Sequence, residues 1–181
     1  MVIVVDPGHG GKDPGALSRD GQVRESALTL SMAKLLSEAL KAAGHVVHLT
    51  RMNDATYPSL TARCKLANEL NADFFISIHV NSADSPSATG IETLVYTKPS
   101  NTTLRFASRV QEELIKATNA RDRGIKYRGD LTVLKRTRMP AILVETGFIS
   151  NTDDLTKLLT LSYQQAIVTA IATAFRATIA K

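Results

Sequence analysis

VIVVDPGHGGKDPGA, residues 2–16, begins with an apolar run and continues into a turn of Asp, Pro and Gly around a single histidine, His9. A β-branched run of this kind predicts a buried strand. The turn does not match a phosphate-binding loop, because Asp6 stands at the first glycine position of that motif and Asp13 at its hydroxyl position. The stretch therefore predicts a strand whose carboxyl end presents an imidazole for another purpose.

Short apolar runs alternate with longer segments of helical spacing along the rest of the chain. The runs at 74–78 and 141–144 are almost wholly apolar, as in strands that are covered on both faces. This alternation predicts a single α/β domain over residues 1–181, with helices on both faces of the sheet. The predicted strands are 2–5, 46–49, 74–78, 91–96, 131–134 and 141–144, and the predicted helices are 25–43, 59–70, 103–118, 153–159 and 163–179.

The composition, with 44% apolar and 22% charged residues, is ordinary for a globular protein. No apolar run approaches the ~18 residues of a membrane span, and a strand begins directly after Met1. We therefore expect no membrane contact and no signal peptide. The one cysteine, Cys64, cannot form an intrachain disulfide and is expected in the core. We expect a monomer.

Positive charge is concentrated between Lys116 and Arg138, where eight basic residues stand against two acidic ones. Such a segment indicates either a surface for an anionic partner or a solvated loop. Only Tyr127 offers a ring for base stacking, so nucleic acid is not the expected partner. An anionic partner bound to this segment would be held by an attraction that salt weakens.

Residues that can bind a metal ion or transfer a proton follow three of the predicted strands. His9 follows the first strand, His79 the strand at 74–78 and Glu145 the strand at 141–144, while Glu25 begins the first predicted helix. Ligands in open α/β sheets collect at the carboxyl ends of strands. Two imidazoles and a carboxylate form the ligand set of a catalytic zinc ion, which keeps a further position open.

Each of these residues also has a plainer interpretation. A histidine after a strand is often only hydrogen-bonded at the surface, and a glutamate in the first turn of a helix often interacts only with the helix dipole. Glu145 is the strongest argument for a site, because it follows three apolar residues at a depth where an unpaired carboxylate is costly. His45 and His48 are poorer ligands, since their spacing in a strand places them on opposite faces.

Several motifs stand in a fixed order: VVDPGHGGKDPGA, Glu25, LTR at 49–51, Arg63 with Ala67-Asn68, ADFFISIHVNS, GIETLVY, RGIK and PAILVETGFISN. Together they resemble the motif series of the zinc-dependent N-acetylmuramoyl-L-alanine amidases, the bacterial peptidoglycan amidases of cell division and spore walls. The likeness extends from about Val2 to the last helix. It implies that His9, Glu25 and His79 are zinc ligands, that Glu145 is the catalytic glutamate, and that the sheet is mixed, mostly parallel and of about six strands.

This resemblance implies a hydrolase that cleaves the amide between the lactyl group of N-acetylmuramic acid and L-alanine in peptidoglycan. One zinc ion lowers the pKa of its water to ~7 and polarises the carbonyl. Glu145 then serves as general acid and base, a role worth about 10²–10⁴-fold in rate. The expected place of action is extracytoplasmic, in the periplasm or cell wall, reached by a trimmed chain or by a phage lysin released on lysis.

A short connection follows the second histidine motif. In some periplasmic members of that family a helical insertion at this place blocks the zinc ion until a partner protein removes it. Here VNSADSPSATG, residues 80–90, is rich in Ser, Pro and Asp and does not predict a helix. We therefore expect an open site that needs no activator protein.

Two rival functions stay open at the level of the sequence. A zinc carboxypeptidase or other exopeptidase acting on wall peptides uses the same ligand set, and Arg123, Arg128 or Arg138 could bind a terminal carboxylate. A non-enzymatic anion-binding module explains the basic segment but leaves the two histidines and two glutamates without a role. Metal analysis and the identity of the released fragments distinguish these possibilities.

Overall fold

The structure, a computed structural model, describes residues 1–180. Its strands are β1 (Val2–Pro7), β2 (Val46–Leu49), β3 (Phe74–Asn81), β4 (Ile91–Val95), β5 (Asp122–Tyr127) and β6 (Ala141–Phe148). Its helices are α1 (Glu25–Ala42), α2 (Leu60–Glu69), α3 (Asn101–Thr118), α4 (Thr132–Lys135), α5 (Thr152–Leu158) and α6 (Leu161–Ile179). Ser59, the first residue of the helix predicted over 59–70, is the N-cap of α2, since its side chain accepts a hydrogen bond from the Ala62 amide.

The strands form one sheet in the order β2-β1-β3-β6-β4-β5. Only the β4–β6 pair is antiparallel, and the other four pairs are parallel. The prediction of an α/β fold with a mixed, mostly parallel sheet of about six strands is therefore confirmed. Because β1, β3 and β6 run in one direction, their carboxyl ends meet at one edge of the sheet.

Helices cover both faces of the sheet because alternate side chains of the central strands point to opposite sides. Ile76 and Val144 belong to the larger core cluster, which the sheet shares with α1, α3 and α6. Phe75 and Leu143 belong to the smaller cluster on the other face, with residues from α2 and α4. Cys64 is buried in this second cluster as a free thiol, as the sequence predicts.

The predicted strand at 131–134 is wrong, because this segment forms the short helix α4. Val133 and Leu134 are both buried in the same core cluster. Consecutive strand residues would point to opposite faces, whereas a helical turn directs both toward the sheet. The β-branched character of the segment is overridden by this packing.

A strand that the sequence analysis does not predict, β5, lies at the sheet edge within the basic segment. It is largely exposed, and its register shifts near Gly124, which has a φ of 74°. An edge strand buries too little to need an apolar pattern, so its charged residues give no strand signal. Two arginines here form ion pairs: Arg123, within β5, pairs with Glu92, and Arg128, directly after β5, pairs with Asp130.

No single helix within residues 1–180 is long and apolar enough to cross a membrane. Helices α5 and α6 reach the required length and composition only together, and they meet at an angle of 81°. Residues of α6 such as Ile171 and Phe175 are fully buried against the sheet. The apolar character of α6 is thus used in the core.

Candidate metal centre and catalytic site

The turn after β1 places His9 in a backbone conformation that few side chains adopt. His9 has a φ of 63°, and Gly10 and Gly11 continue with φ values of 120° and 56°. Glycine reaches this region at little cost, whereas a histidine there is held by its surroundings. The reversal brings the imidazole back over the end of the sheet, toward the start of α1.

Glu25, the first residue of α1, lies between the two histidines. Its Oε2 is 3.1 Å from His9 Nε2, and its Oε1 is 3.0 Å from His79 Nδ1. The same oxygens accept hydrogen bonds from the backbone amides of Ala16 and Val80, both at 2.9 Å. The carboxylate is therefore fixed by two amides and faces both imidazoles.

The structure brings together the three residues that the sequence analysis assigns to a metal site. One ligand atom from each of His9, Glu25 and His79 lies within 4.8 Å of the others, and the two rings are 4.9 Å apart. His79 lies within β3 and not beyond its end, since the strand continues to Asn81. The imidazoles are 24% and 19% exposed, so an ion can reach them from solvent.

The charges of this group depend on one another. Burial lowers the pKa of His9, but hydrogen bonds to Glu25 and Asp13 outweigh burial and raise it to about 9. Burial also lowers the pKa of His79, but its hydrogen bond to Glu25 and the charges of Glu145 and Glu25 together outweigh burial and raise it. Burial favours the neutral form of Glu25, yet the two histidines hold its pKa far below the usual range. Without a metal, Glu25 is thus an anion beside the imidazolium group of His9.

Asp13 is a residue of the site that sequence reasoning misses. Its Oδ2 is 2.9 Å from His9 Nδ1, and its Oδ1 accepts a hydrogen bond from the Gly15 amide at 3.0 Å. A histidine that binds a metal usually bonds its second nitrogen to a carboxylate, which fixes the ring and its tautomer. The only sequence signal is an acidic residue four positions after His9, in a turn where Asp is common for other reasons.

Glu145 lies within β6, directly opposite His79 of β3 and Glu92 of β4 in the strand register. Its Oε2 is buried and has no hydrogen-bond partner within the described residues. Burial raises the pKa of Glu145 to about 7. The charge of His79 lowers this pKa, whereas the charges of Glu25 and Glu92 add to the rise. This carboxyl group can therefore hold or release a proton near neutral pH.

Glu92 is fixed beside Glu145 by two partners. Its Oε1 accepts a hydrogen bond from Asn81 at 3.1 Å, and Arg123 binds its Oε2 at 2.8 Å. The guanidinium of Arg123 also lies over the ring of Phe148, 4.9 Å from its centre. These contacts give Glu92 a compensated charge, whereas Glu145 keeps an unpaired oxygen at the rim.

The donor set fits a zinc ion. Two imidazole nitrogens and one carboxylate oxygen are ligands that zinc accepts, and three protein ligands leave a position for water or substrate. The second ring nitrogen of His9 is hydrogen-bonded to Asp13, as is usual for a histidine that binds a metal. The buried Oε2 of Glu145 has no polar partner, which is unusual unless a bound group supplies one. His45 is not in this group, since its ring packs on Phe175.

A groove of about 240 Å³ runs past the two histidines. Tyr57, Leu60, Leu131 and Val133 supply apolar surface along it, and Asp130 lies at its rim. Leu60 is 52% exposed and Tyr57 38%, so this wall is open to solvent. The groove is thus an open space beside His9 and His79, two of the three candidate metal ligands.

Known proteins with similar sequences include the sporulation-specific N-acetylmuramoyl-L-alanine amidase of Bacillus subtilis, 40% identical over 92% of this chain and 64% of the relative. The amidase LytC of Bacillus subtilis is 38% identical over 94% of this chain and 34% of its own length. An endolysin of Bacillus phage SPP1 is 38% identical over 84% of this chain and 56% of that protein. The chain thus spans less than two thirds of the length of each of these relatives.

Solved structures with the same fold cover almost the whole chain. The catalytic domain of CwlV, an N-acetylmuramoyl-L-alanine amidase from Paenibacillus polymyxa, matches with a TM-score of 0.91 and 35% identity, over 98% of this chain and 97% of that one. An N-acetylmuramoyl-L-alanine amidase of Clostridium difficile matches with a TM-score of 0.94 and 35% identity, over 98% and 95%. The family described as N-acetylmuramoyl-L-alanine amidase matches residues 3–177, and the chain belongs to this family.

Proposed function

We propose that this protein is a zinc-dependent peptidoglycan hydrolase, which cleaves the amide between the lactyl group of N-acetylmuramic acid and L-alanine. One observation carries the proposal: His9, Glu25 and His79 converge at the sheet edge, with the unpaired carboxyl group of Glu145 opposite His79. Membership of the amidase family supplies the reaction. The substrate is inferred from the amidase relatives named above.

His9, Glu25 and His79 would hold the metal. When bound, zinc polarises the scissile carbonyl and lowers the pKa of the attacking water. Asp13 fixes the ring of His9, and the amides of Ala16 and Val80 fix the carboxylate of Glu25. The ligands are thereby held before the ion arrives, which limits the ordering cost of binding.

Glu145 would carry out the proton transfers. Its buried Oε2 has no partner to displace, and its pKa near 7 suits both acceptance and release of a proton. It takes a proton from water during attack and gives it to the departing amine of L-alanine. This proton lets the amine leave in its neutral form. Without it, the attacked carbon would expel the oxygen nucleophile instead, and the amide bond would remain uncut.

The site needs no activator in this proposal. Two observations support this part of the proposal: residues 82–90 contain no helix, and the imidazoles of His9 and His79 are partly exposed. One related amidase, CwlD of Clostridioides difficile, is known in complex with the GerS lipoprotein, and it is 30% identical to this chain. We propose instead a monomer that acts on peptidoglycan alone, outside the cytoplasm.

A clearing assay on purified cell walls tests the proposal. Wild-type protein is stripped with a chelator, reloaded with zinc, and its products are identified by mass spectrometry. We expect clearing only after reloading, with free N-terminal L-alanine on the released peptides. Release of C-terminal amino acids instead would indicate the rival zinc carboxypeptidase and overturn the amidase assignment.

Two variants test the assigned roles. Glu145→Ala is expected to bind zinc like the wild type and to lose turnover, because only the proton-transfer group is removed. His79→Ala is expected to lose both zinc and turnover. Full clearing by the Glu145→Ala variant would contradict the proposed mechanism.

A further inference from the structure

Two buried arginines lie beneath the turn that carries His9. Arg51 follows β2 and Arg63 belongs to α2, and their side chains are 0% and 2% exposed. Arginine is rarely buried to this extent unless its donors are paired. The partners of these guanidinium groups therefore show what they contribute.

Arg51 connects the His9 turn to the start of α1. Its Nε donates to the Pro7 carbonyl at 3.1 Å, and its Nη2 donates to the Gly8 carbonyl at 2.9 Å. The same Nη2 donates to the Ser26 carbonyl at 2.7 Å, one residue after Glu25. A single planar group thus bonds the backbone next to His9 and the backbone next to Glu25.

Arg63 holds the turn from the other side. Its Nη2 donates to the carbonyl of His9 itself at 2.6 Å, and its Nη1 donates to the Pro7 carbonyl at 2.7 Å. Asp6 balances its charge, with Oδ1 at 2.7 Å from Nη1. The carbonyls of three successive residues, from Pro7 to His9, are therefore all bound by buried guanidinium groups.

We propose that Arg51 and Arg63 are positioning residues of the metal site, which set the distance between His9 and Glu25 through the backbone. The inference rests on the proposed function for the identity of the metal. Lysine cannot replace either residue, because an ammonium cannot present a rigid fork of donors to several carbonyls. A Cβ on Gly10 would lie 2.7 Å from the Cδ of Arg51, so the turn packs directly on this side chain.

The strained backbone explains why such support is needed. His9 has a φ of 63°, a strained conformation that a residue other than glycine keeps only when its surroundings impose it. Zinc sites require ligand distances to within about 0.2 Å. If the carbonyls of this turn lose their donors, the turn relaxes and the His9 ring moves relative to Glu25.

The test compares Arg51→Lys and Arg63→Lys with the control Gln111→Met. Gln111 is buried in α3 and donates to the Ile91 carbonyl at 2.9 Å and to Asp122 at 2.7 Å, so its loss destabilises the protein without removing a bond of the His9 turn. The zinc dissociation constant is measured by competition with a chelator at a temperature where each variant is folded. The absorption spectrum of the Co²⁺-substituted protein reports ligand geometry independently of activity.

We expect both lysine variants to bind zinc at least tenfold more weakly, with an altered Co²⁺ spectrum. The Gln111→Met variant is expected to melt at a lower temperature and to keep zinc affinity within twofold. A loss below tenfold in the lysine variants, or an equal loss in the control, overturns the inference. A wild-type protein that does not bind zinc overturns the proposed function itself, which keeps the two failures distinct.

A milder variant decides the matter if the lysine variants do not fold. Thr29 donates to the Gly8 carbonyl at 2.8 Å and accepts from Arg51 Nη2 at 3.1 Å. Thr29→Val removes these bonds with little change of shape. We expect zinc affinity to fall at least threefold, and a smaller change overturns the positioning role.

Discussion

Replacing Gly8 by alanine isolates the effect of ligand position, because the substitution places one methyl group against the ring of His79. A Cβ at this position would overlap the imidazole and lie 2.7 Å from its Nδ1. Gly8 does not have a positive φ, so alanine is compatible with its backbone. Any effect therefore comes from the contact with the metal ligand.

The size of the effect follows from the required displacement. Carbon and nitrogen atoms pack at about 3.5 Å or more, so the ring must move by about 1 Å. A shift of this size exceeds the tolerance of a zinc ligand about fivefold. We expect zinc affinity to fall about 100-fold, which corresponds to about 2.7 kcal/mol.

Thermal unfolding with and without zinc measures this loss. The stabilisation by zinc should fall by about 2.7 kcal/mol at fixed ion concentration, and the zinc-induced rise in Tm should shrink by about 5–11 °C for a chain of this size. Gly129→Ala is the matched control. Its added Cβ meets only the Thr97 side chain, at 3.3 Å, and contacts none of the proposed metal ligands.

Two results would refute the reasoning. One is a Gly8→Ala protein whose zinc-induced rise in Tm equals that of the wild type. The other is an equal loss in the Gly129→Ala protein, which would show that any added methyl group weakens zinc binding.

Other perturbations probe the charges and the core. Asp13→Ala should weaken zinc binding about 10–100-fold in isothermal titration, because the His9 ring loses its orienting carboxylate; unchanged affinity would contradict this. Zinc binding at pH 7 should release at least one proton, since Glu25 raises the pKa of His9 to about 9 in the metal-free chain. Affinity should then rise about tenfold per pH unit up to pH ~9, and titrations in buffers of different ionisation enthalpy measure the release. Phe74→Ala should lower the free energy of unfolding by about 3–5 kcal/mol in denaturant titration and leave zinc affinity unchanged.

The central strands can be predicted from the sequence because both of their faces are buried. Apolar residues such as Ile76 and Val144 must then occur without alternation, and few other structures tolerate such runs. The edge strand β5 buries little, so its polar residues carry no comparable signal. The helix α4 depends on the space between α2 and the sheet, which only the assembled fold defines.

The main candidate residues of the site can be proposed from the sequence because of their chemical type and their place after apolar runs. Histidine and glutamate next to apolar runs are costly without a function, which draws attention to His79 and Glu145. The supporting residues are different. Asp13 stands in a turn where aspartate is common, and Arg51 and Arg63 have no local pattern that predicts burial. Their roles depend on carbonyls from a distant turn, so the three-dimensional structure is needed to recognise them.

The strand order has a consequence for how an active molecule is made. All three proposed ligands come from the first 79 residues, whereas Glu145 lies on β6, which inserts between β3 and β4. During synthesis, all three proposed ligands leave the ribosome well before Glu145, so a chain that ends before β6 lacks the proposed proton-transfer group. Under the proposed mechanism, such an unfinished chain has no group to carry the proton transfers, and activity depends on the late strand entering the middle of the sheet.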